Sequence, residues 1–553
     1  MNRRATLAAL LGKTVAPPKP GFLPPDGASL NPYTGDWTYE QAAHLLRRAM
    51  FAPTHAQIKA VVENGLAASI EQLFQDLPMP SPPINDFYQD DPFVSIGNSW
   101  VDAIYVKDQE EIWDYRHRSL RAWTMGLMLQ EAVSIREKMT LFWHNHFAIN
   151  SIEDPRYLYQ YITLLRQNAW GNFKELTKAV TIDAAMLRFL NGNQNSKYAP
   201  NENYARELME LFTLGKGKQV GAGDYTTFTE QDVEAMARVL TGWRDKGHNA
   251  TDPNELMEVY FDPEEHDTDS KQLSHRFGSV TIQDMGDQEY AHLVDIIFQR
   301  PEVARFISRK LYRWFIYYKI DEATEAAVIE PMAQLLIESN FETKPVIQAL
   351  LKSEHFYHIL SLGPMIKNPV DFVVTAVKTF EVKLPEDLAL EYDAWYNIFE
   401  QTRQLQMEYF DPPEVAGWKA YYQAPAFTRL WINATTLRRR MSCVDSFLAA
   451  GIGAGEARIP IDVLQFVKTL DDPYDPNLVI EGFAKILFPR PLSNNQLTIL
   501  KEILLPGLPD YEWGVEYGMY EADPEDMQLT IAIDTKLRHL LRTMMHMAEF
   551  YLS

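Results

Sequence analysis

Apolar side chains recur at spacings of three and four along much of the chain, the pattern of helices with one buried face. Ile135, Met139, Phe142 and His146 repeat in this way directly behind Ser134-Ile-Arg-Glu137. A Ser followed three residues later by a Glu has the order of a capping box, in which each side chain bonds the other's backbone N–H. The pattern therefore predicts a helix that begins at Ser134.

A second clear helix follows Thr229, which has the properties of a helix cap. Val233, Met236 and Leu240 form its apolar stripe, and Gly242 is suited to end it. Comparable patterns predict helices over residues 300–318, 321–338, 368–380, 433–449 and 527–551.

Strand patterns are few. Residues 256–261 and 279–283 are predicted to pair as one small ribbon around the acidic loop between them. The expected fold class is therefore mostly α, a multi-lobed helical protein with one small β ribbon. Proline-rich and turn-rich stretches suggest an N-terminal tail or arm over residues 1–37, and helical lobes over 38–130, 131–360 and 361–553.

Composition narrows the function classes. The chain has 553 residues, with 52 Lys and Arg against 75 Asp and Glu, a formal net charge of −23. Such a charge disfavours binding to nucleic acid or to anionic membrane surfaces. The single cysteine, Cys443, excludes intramolecular disulfides and cysteine-rich metal sites. No apolar run approaches the ~18 residues of a membrane-spanning helix, so no integral membrane segment is expected.

The N-terminus has two interpretations. Arg3 and Arg4 precede a short apolar stretch over residues 5–12, which faintly resembles a twin-arginine export signal. Lys13 interrupts that stretch and Pro17 follows soon after, which favours a plain N-terminal tail. The sequence thus leaves open whether this soluble chain is cytoplasmic or exported.

The first candidate for metal chemistry is the pair His144 and His146. Two imidazoles separated by one residue can chelate an ion from extended backbone. In a continuous helix they lie about 200° apart and cannot. The metal hypothesis therefore needs the helix to end near His144, and the alternative is one core histidine and one at a surface or interface.

The second candidate is Glu207 with Glu210, in the predicted helix over residues 201–215. Carboxylates at i and i+3 present two ligands on one helix face. The alternative is a solvated ladder formed by Glu202, Arg206 and Glu210. Glu207 is left out of that ladder, so we expect it to face a pocket shared with His144, His146 or His266.

The third candidate is the acidic segment over residues 261–271, which holds five carboxylates within eight residues. His266 and Asp267 form a candidate ligand or proton-transfer pair there. The alternative is a solvated acidic loop. The spacing of the carboxylates in this segment does not fit an EF-hand. Elsewhere the sequence has no phosphate-binding glycine loop and no nucleophile elbow.

Eight segments, in this order, resemble the bacterial family named domain of unknown function 1800. They cover residues 42–51, 142–147, 201–215, 229–243, 266–271, 367–369, 412–418 and 431–433. The resemblance implies no activity. It implies a partner, because such proteins often neighbour a second family, domain of unknown function 1501, which resembles sulfatases and alkaline phosphatases. The resemblance also favours the interpretation of Arg3 and Arg4 as part of a twin-arginine export signal, because members of this family often have such N-termini.

Two functions remain open. In a metal-assisted hydrolase acting on a polar substrate, a divalent metal ion would be the cofactor, with His144, His146 and Glu210 as ligands. Glu207, His266 and Asp267 would then be the catalytic groups. The alternative is a non-catalytic binding or assembly protein that works with a sulfatase- or phosphatase-like partner, or with a polysaccharide. Convergence of the His and Glu side chains within about 3–5 Å in one pocket would favour the enzyme.

Overall fold

The computed structural model describes residues 29–453 and 458–553, and in these residues the chain is mostly helical, as predicted. Arg3, Arg4 and most of the predicted N-terminal arm lie outside the described residues. Within the described part of the chain, no helix combines the length and the hydropathy that crossing a membrane requires.

In the first part of the described chain, residues 29–213, the regular elements are helices and helical turns, and a long loop separates the second helix from the third. Its helices are α1 Tyr39–Ala49, α2 His55–Leu73, α3 Glu110–Gln130, α4 Arg136–His146, α5 Pro155–Gln167, α6 Phe173–Thr181, α7 Ala184–Phe189 and α8 Glu202–Glu207. A π-helical turn over Leu208–Thr213 continues α8, and a 3₁₀ turn covers Gly192–Gln194.

The strands follow, with α9 among them. They are β1 Gln219–Gly221, β2 Asp224–Tyr225, β3 Trp243–Lys246, β4 Glu258–Phe261, β5 Lys271–Gln272 and β6 Thr281–Ile282, and α9 is Glu230–Val239. Short 3₁₀ turns lie at His275–Phe277 and Gly286–Gln288.

The rest of the described chain is helical. Its helices are α10 Glu289–Ile297, α11 Pro301–Phe315, α12 Glu322–Thr324 with a π turn over Glu325–Ile329, α13 Glu330–Glu338, α14 Thr343–Leu351, α15 Glu354–Tyr357, α16 Pro369–Lys378, α17 Leu388–Gln404, α18 Lys419–Tyr422, α19 Ala434–Ala450, α20 Val463–Val467, α21 Pro476–Leu487, α22 Asn494–Leu504, α23 Asp510–Ala522 and α24 Met527–His546. Further 3₁₀ turns lie at Ile359–Ser361, Phe427–Trp431 and Ala548–Tyr551.

The two predicted helix caps have different outcomes. Thr229 caps α9 through a capping box with Asp232, so that cap is confirmed. The box proposed at Ser134 is wrong in both halves, because the N-cap of α4 is Ile135 and the Glu137 N–H donates to Glu131 Oε1 at 3.2 Å. Ser134 Oγ accepts from the Arg136 N–H at 3.1 Å, but the Glu137 carboxylate accepts two bonds from Arg166, at 2.8 and 2.9 Å. A buried guanidinium binds a carboxylate more strongly than a backbone N–H does.

The predicted ribbon is also wrong in its pairing. Both segments contain strands, but β4 pairs antiparallel with β3, and β6 pairs with β5. A third small ribbon joins β1 to β2. Each segment thus pairs with a neighbour across a nearer turn, and cross-strand aromatic packing of Trp243 on Phe261 supports the first pair.

One cluster of buried apolar side chains runs from α1 to the C-terminal turn. Helix α3 packs along α17, although the two are far apart in sequence. Trp418 and Trp431 are buried, 2% and 5% exposed, as expected for anchors of the last third. Helices from all three predicted lobes contribute to this core, and the division into lobes stays a prediction.

Candidate functional site

His144 lies inside the continuous helix α4 and is fully buried. Its Nε2 accepts a hydrogen bond from the Phe410 N–H at 3.1 Å, and its ring stacks on Tyr409 at 5.1 Å. Burial lowers the pKa of His144 to about 3. The neutral ring therefore fixes the loop that carries Phe410.

His146 has other partners on another side of α4. Its Nε2 donates to the Phe212 carbonyl at 3.0 Å, and its Nδ1 accepts from Lys310 Nζ at 2.8 Å. Burial lowers the pKa of His146 well below its usual value, and Lys310 adds to the effect. The two histidines thus point to separate places, the arrangement predicted for a continuous helix, and their role as metal ligands stays a prediction.

Glu207 and Glu210 lie beside each other at the end of α8 and the start of the π turn. Glu207 is half-buried, and burial, followed by the charge of Glu210, raises its pKa. Glu210 pairs with Lys216 at 3.1 Å. Among the described residues, no hydrogen bond joins Glu207 to His144, His146 or His266, so the structure does not bring these groups together.

The expected surface ladder is absent from this part of the described chain. Arg206 instead forms a two-pronged pair with Glu230 of α9, at 2.9 and 2.6 Å. A planar guanidinium matches a carboxylate best in this geometry, so a partner on another helix competes successfully with Glu202 and Glu210.

His266 lies at the centre of a buried polar cluster. Its Nδ1 donates to the Thr241 carbonyl at 2.9 Å. Its Nε2 lies 3.1 Å from Glu289 Oε2 and 3.9 Å from Asp284 Oδ1. His266 and Glu289 are 2% and 0% exposed, whereas the Asp284 side chain is 46% exposed. The cluster is therefore open to solvent on the Asp284 side.

Lys271 completes the cluster from β5. Its Nζ lies 2.6 Å from Glu289 Oε1, and both side chains are fully buried. Lys271 also donates to the Asp267 carbonyl. One oxygen of Glu289 thus forms an ion pair with Lys271, and the other faces His266 and accepts from the Met285 N–H at 3.3 Å.

The Asp267 side chain points to a different partner. It accepts from Arg238 of α9 at 2.6 and 3.0 Å, and these bonds are the main reason that its pKa is lowered. Its backbone N–H donates to Thr241 Oγ1 at 2.9 Å. Asp267 therefore fixes the loop to α9 and to the turn that follows it. These bonds restrict the position of His266, the preceding residue.

The turn between α9 and β3 sets the position of His266. Gly242 has φ +92°, and a Cβ there would lie 2.8 Å from the Asp262 carbonyl oxygen and 3.1 Å from His266 Cβ. Only glycine tolerates both the backbone conformation and this close approach. Gly242, which the sequence predicts as the end of α9, thus also allows β3, the end of β4 and His266 to pack closely against one another.

His266, Asp284 and Glu289 form a potential metal-binding group, the only one found in the described residues. One ligand atom from each lies within 4.8 Å of the other two. Of these, the sequence predicted only His266. Glu289 is 23 residues away, and its one signal is a carboxylate in the first turn of a helix that is mostly apolar.

Comparison with known proteins gives the family. No curated protein and no solved structure matches the chain. The model of one family, described as "Protein of unknown function (DUF1800)", matches residues 44–551. Because this match covers nearly the whole chain, the protein belongs to the DUF1800 family.

Proposed function

We propose that this protein binds a divalent cation through His266, Asp284 and Glu289 and uses it to hydrolyse a polar substrate. The observation that carries the proposal is the convergence of these three side chains, with their ligand atoms within 4.8 Å of one another. One imidazole and two carboxylates suit zinc or manganese.

The hydrogen bonds of His266 support a cation at this position. Because Nδ1 donates to Thr241, a neutral ring has only a lone pair on Nε2, and this lone pair faces Glu289 Oε2 at 3.1 Å. Two lone pairs at this distance need a proton or a metal ion between them. An Nδ1–H bond to a backbone carbonyl also orients many metal-binding histidines.

The exposure of the cluster supports a catalytic centre more than a structural one. Structural zinc sites are closed by four protein ligands, whereas catalytic sites have three and an open position. Here three donors are available, and the 46% exposed side chain of Asp284 marks the open side. A cation held there would polarise a substrate oxygen and lower the pKa of a bound water.

Lys271 is compatible with this arrangement. It balances one negative charge through its ion pair with Glu289 Oε1, and Glu289 Oε2, which also accepts from the Met285 N–H at 3.3 Å, faces the position of the cation. Phe261 packs against the His266 ring with 5.0 Å between centroids and closes one side of the cluster.

The non-catalytic alternative remains the second candidate. His144, His146, Glu207 and Glu210 lie outside the cluster, and such scatter favours binding or structural roles for these four residues. A protein that binds the cation without turnover would fit this alternative.

Calorimetry and a hydrolysis assay distinguish the two. Chelator-treated protein is titrated with Zn²⁺ and with Mn²⁺, and the loaded protein is assayed on p-nitrophenyl acetate, phosphate and sulfate. We expect one cation per chain and turnover of at least one ester. Asp284→Asn should weaken cation binding at least tenfold, whereas Asp287→Asn, an exposed carboxylate outside the cluster, should not. Binding without turnover would favour the alternative, and absence of binding would reject the proposal.

A further inference from the structure

Helix α23 has apolar side chains on two opposite faces. Large aromatic rings lie on the face toward the core, namely Trp513, Tyr517 and Tyr520. On the other face, Tyr511, Val515 and Met519 follow one another at intervals of four residues and are 67%, 53% and 53% exposed. At about 100° per residue, these three side chains span only about 80° of the helix circumference. Within the described structure, α23 thus presents a second apolar face to solvent.

The loop before α21 extends this face through Tyr474. A Cβ at Gly514 of α23 would lie 3.2 Å from the Tyr474 carbonyl oxygen, and a Cβ at Gly518 would lie 3.7 Å from the Tyr474 ring. Because both positions lack a side chain, the loop packs directly on α23. Tyr474 is 46% exposed. We define the α23 face as four exposed side chains, Tyr474, Tyr511, Val515 and Met519.

The charge around the α23 face is negative. Residues 502–535 contain nine Asp and Glu residues and no Lys, Arg or His. Along α23 itself, Glu512 and Glu516 follow one border of the exposed stripe, and Asp510 and Glu521 follow the other. An apolar stripe between two rows of carboxylates has the charge pattern that a cationic partner complements.

Only part of this negative charge is neutralised within the described chain. Lys536 of α24 pairs with Glu516, and Lys501 of α22 pairs with Asp510 at 3.0 Å. The other two border carboxylates have no ion pair among the described residues. Each border of the stripe therefore keeps one carboxylate that can meet a cation of a partner.

The charge pattern decides which kind of partner fits this face. Nucleic acids and anionic membranes carry phosphates, which the carboxylates would repel. A second copy of this chain would bring the same net charge of −23. A cationic amphipathic helix fits, because its apolar side would cover the stripe while its Lys and Arg side chains meet the carboxylates at both borders. Tyrosine and methionine are also enriched at protein interfaces, and the flexible thioether of Met519 adapts to different side chains.

We propose that the α23 face docks a cationic amphipathic helix of a partner protein. Tyr511, Val515 and Met519 supply the apolar contact, and the border carboxylates orient the helix and favour cationic partners. None of these residues belongs to the His266 cluster. The docking surface is therefore separate from the proposed cation site, and either can fail without the other.

The test measures fluorescence anisotropy of labelled peptides titrated with the full chain. The probe is a helical peptide of Leu and Lys, about 15 residues long, with Leu at intervals of three and four. A scrambled peptide of the same composition has the same charge but no apolar side, and a third peptide has Glu in place of Lys. We expect the probe to bind, the scrambled peptide to bind about tenfold more weakly or less, and the anionic peptide not to bind. Added salt should weaken binding of the probe, because it screens exposed charges.

Matched variants assign the binding to the α23 face. Val515→Lys places a cation in the middle of the stripe and should weaken probe binding about tenfold. Val220→Lys is its control, because Val220 lies in β1, is 56% exposed and undergoes the same change of charge. Tyr511→Ala removes apolar contact without a change of charge and should also weaken binding, whereas Tyr198→Ala, at a site 78% exposed, should not. All four side chains are exposed, so the variants should melt with the wild type.

Equal affinity for the probe and the scrambled peptide would overturn the proposal, as would equal effects of Val515→Lys and Val220→Lys. Binding of the anionic peptide as tightly as the probe would show that charge does not select the partner. Sedimentation tests the remaining occupant. A wild-type dimer that Val515→Lys dissociates would show that a second copy covers the face, and that result also overturns the proposal.

Discussion

His266 Nε2 lies 3.1 Å from Glu289 Oε2, while the opposite oxygen of the same carboxylate is 2.6 Å from Lys271 Nζ. Glu289 therefore joins the loop of His266 to the strand of Lys271 from the start of α10. Because the carboxylate is fully buried, its charge is part of the fold as well as of the proposed cation site.

Replacing Glu289 by Gln should destabilise the protein. The change leaves the Lys271 ammonium buried without a counter-charge, and such a loss typically costs about 3–5 kcal/mol. The free energy of unfolding in urea measures the effect. The double variant Glu289→Gln with Lys271→Met removes both charges and should recover part of the stability. A single variant as stable as the wild type would show that this buried pair does not stabilise the fold.

Acid should destabilise the protein through His144. Its pKa is about 3 in the fold, below the value of 6.5 for an unperturbed histidine, so protons bind the unfolded chain more readily. The stability that neutral His144 contributes is fully present above pH ~6.5. It is lost as the pH falls towards 3, by on the order of 4–5 kcal/mol.

Urea unfolding of wild type and His144→Gln across this pH range measures that loss. The variant keeps an acceptor that can reach the Phe410 N–H but does not titrate, so its stability should fall less steeply. Parallel pH profiles for the two proteins would contradict the assignment.

Trp418 should be a stabilising anchor. Its side chain is 2% exposed, its backbone N–H donates to Asn145 Oδ1 at 3.0 Å, and its ring meets His144 edge-on at 5.7 Å. Trp418→Ala should cost on the order of 3 kcal/mol. Tyr511→Ala, at a site 67% exposed, should change stability by less than about 0.5 kcal/mol. Thermal melts check this, and equal melting of the two variants would refute the anchor.

Gly242→Ala should disturb the turn that holds His266. The new Cβ would be strained at φ +92° and would contact the Asp262 carbonyl oxygen at 2.8 Å, so we expect a cost above about 2 kcal/mol. Gly278→Ala is the matched control, because φ is +63° and the space around it is open. It should cost only about 1 kcal/mol. Equal unfolding free energies for the two variants would show that close packing at Gly242 is unimportant.

Local patterns predicted the helices, whereas the contacts of the site depend on distant residues. The cap at Thr229 and the apolar face of α9 are determined within a few residues, so the sequence alone predicts them. Arg206 has its expected neighbours four residues away, but Glu230 of another helix binds it instead. Such competition depends on tertiary packing, which periodicity does not describe.

The candidate site shows the same division. His266 was identified because it lies among carboxylates in sequence. Asp284 and Glu289 were missed, because antiparallel pairing of β5 with β6 brings the start of α10 back to His266. Neither strand is longer than two residues, so no strand pattern predicts that pairing.

The most direct test of the proposed cation site is anomalous X-ray scattering at the zinc edge, from crystals of the protein grown with Zn²⁺. The account predicts one peak within about 2.0–2.2 Å of His266 Nε2 and of oxygens of Asp284 and Glu289. No peak at this cluster, or a peak at His144 or His146 instead, would contradict it.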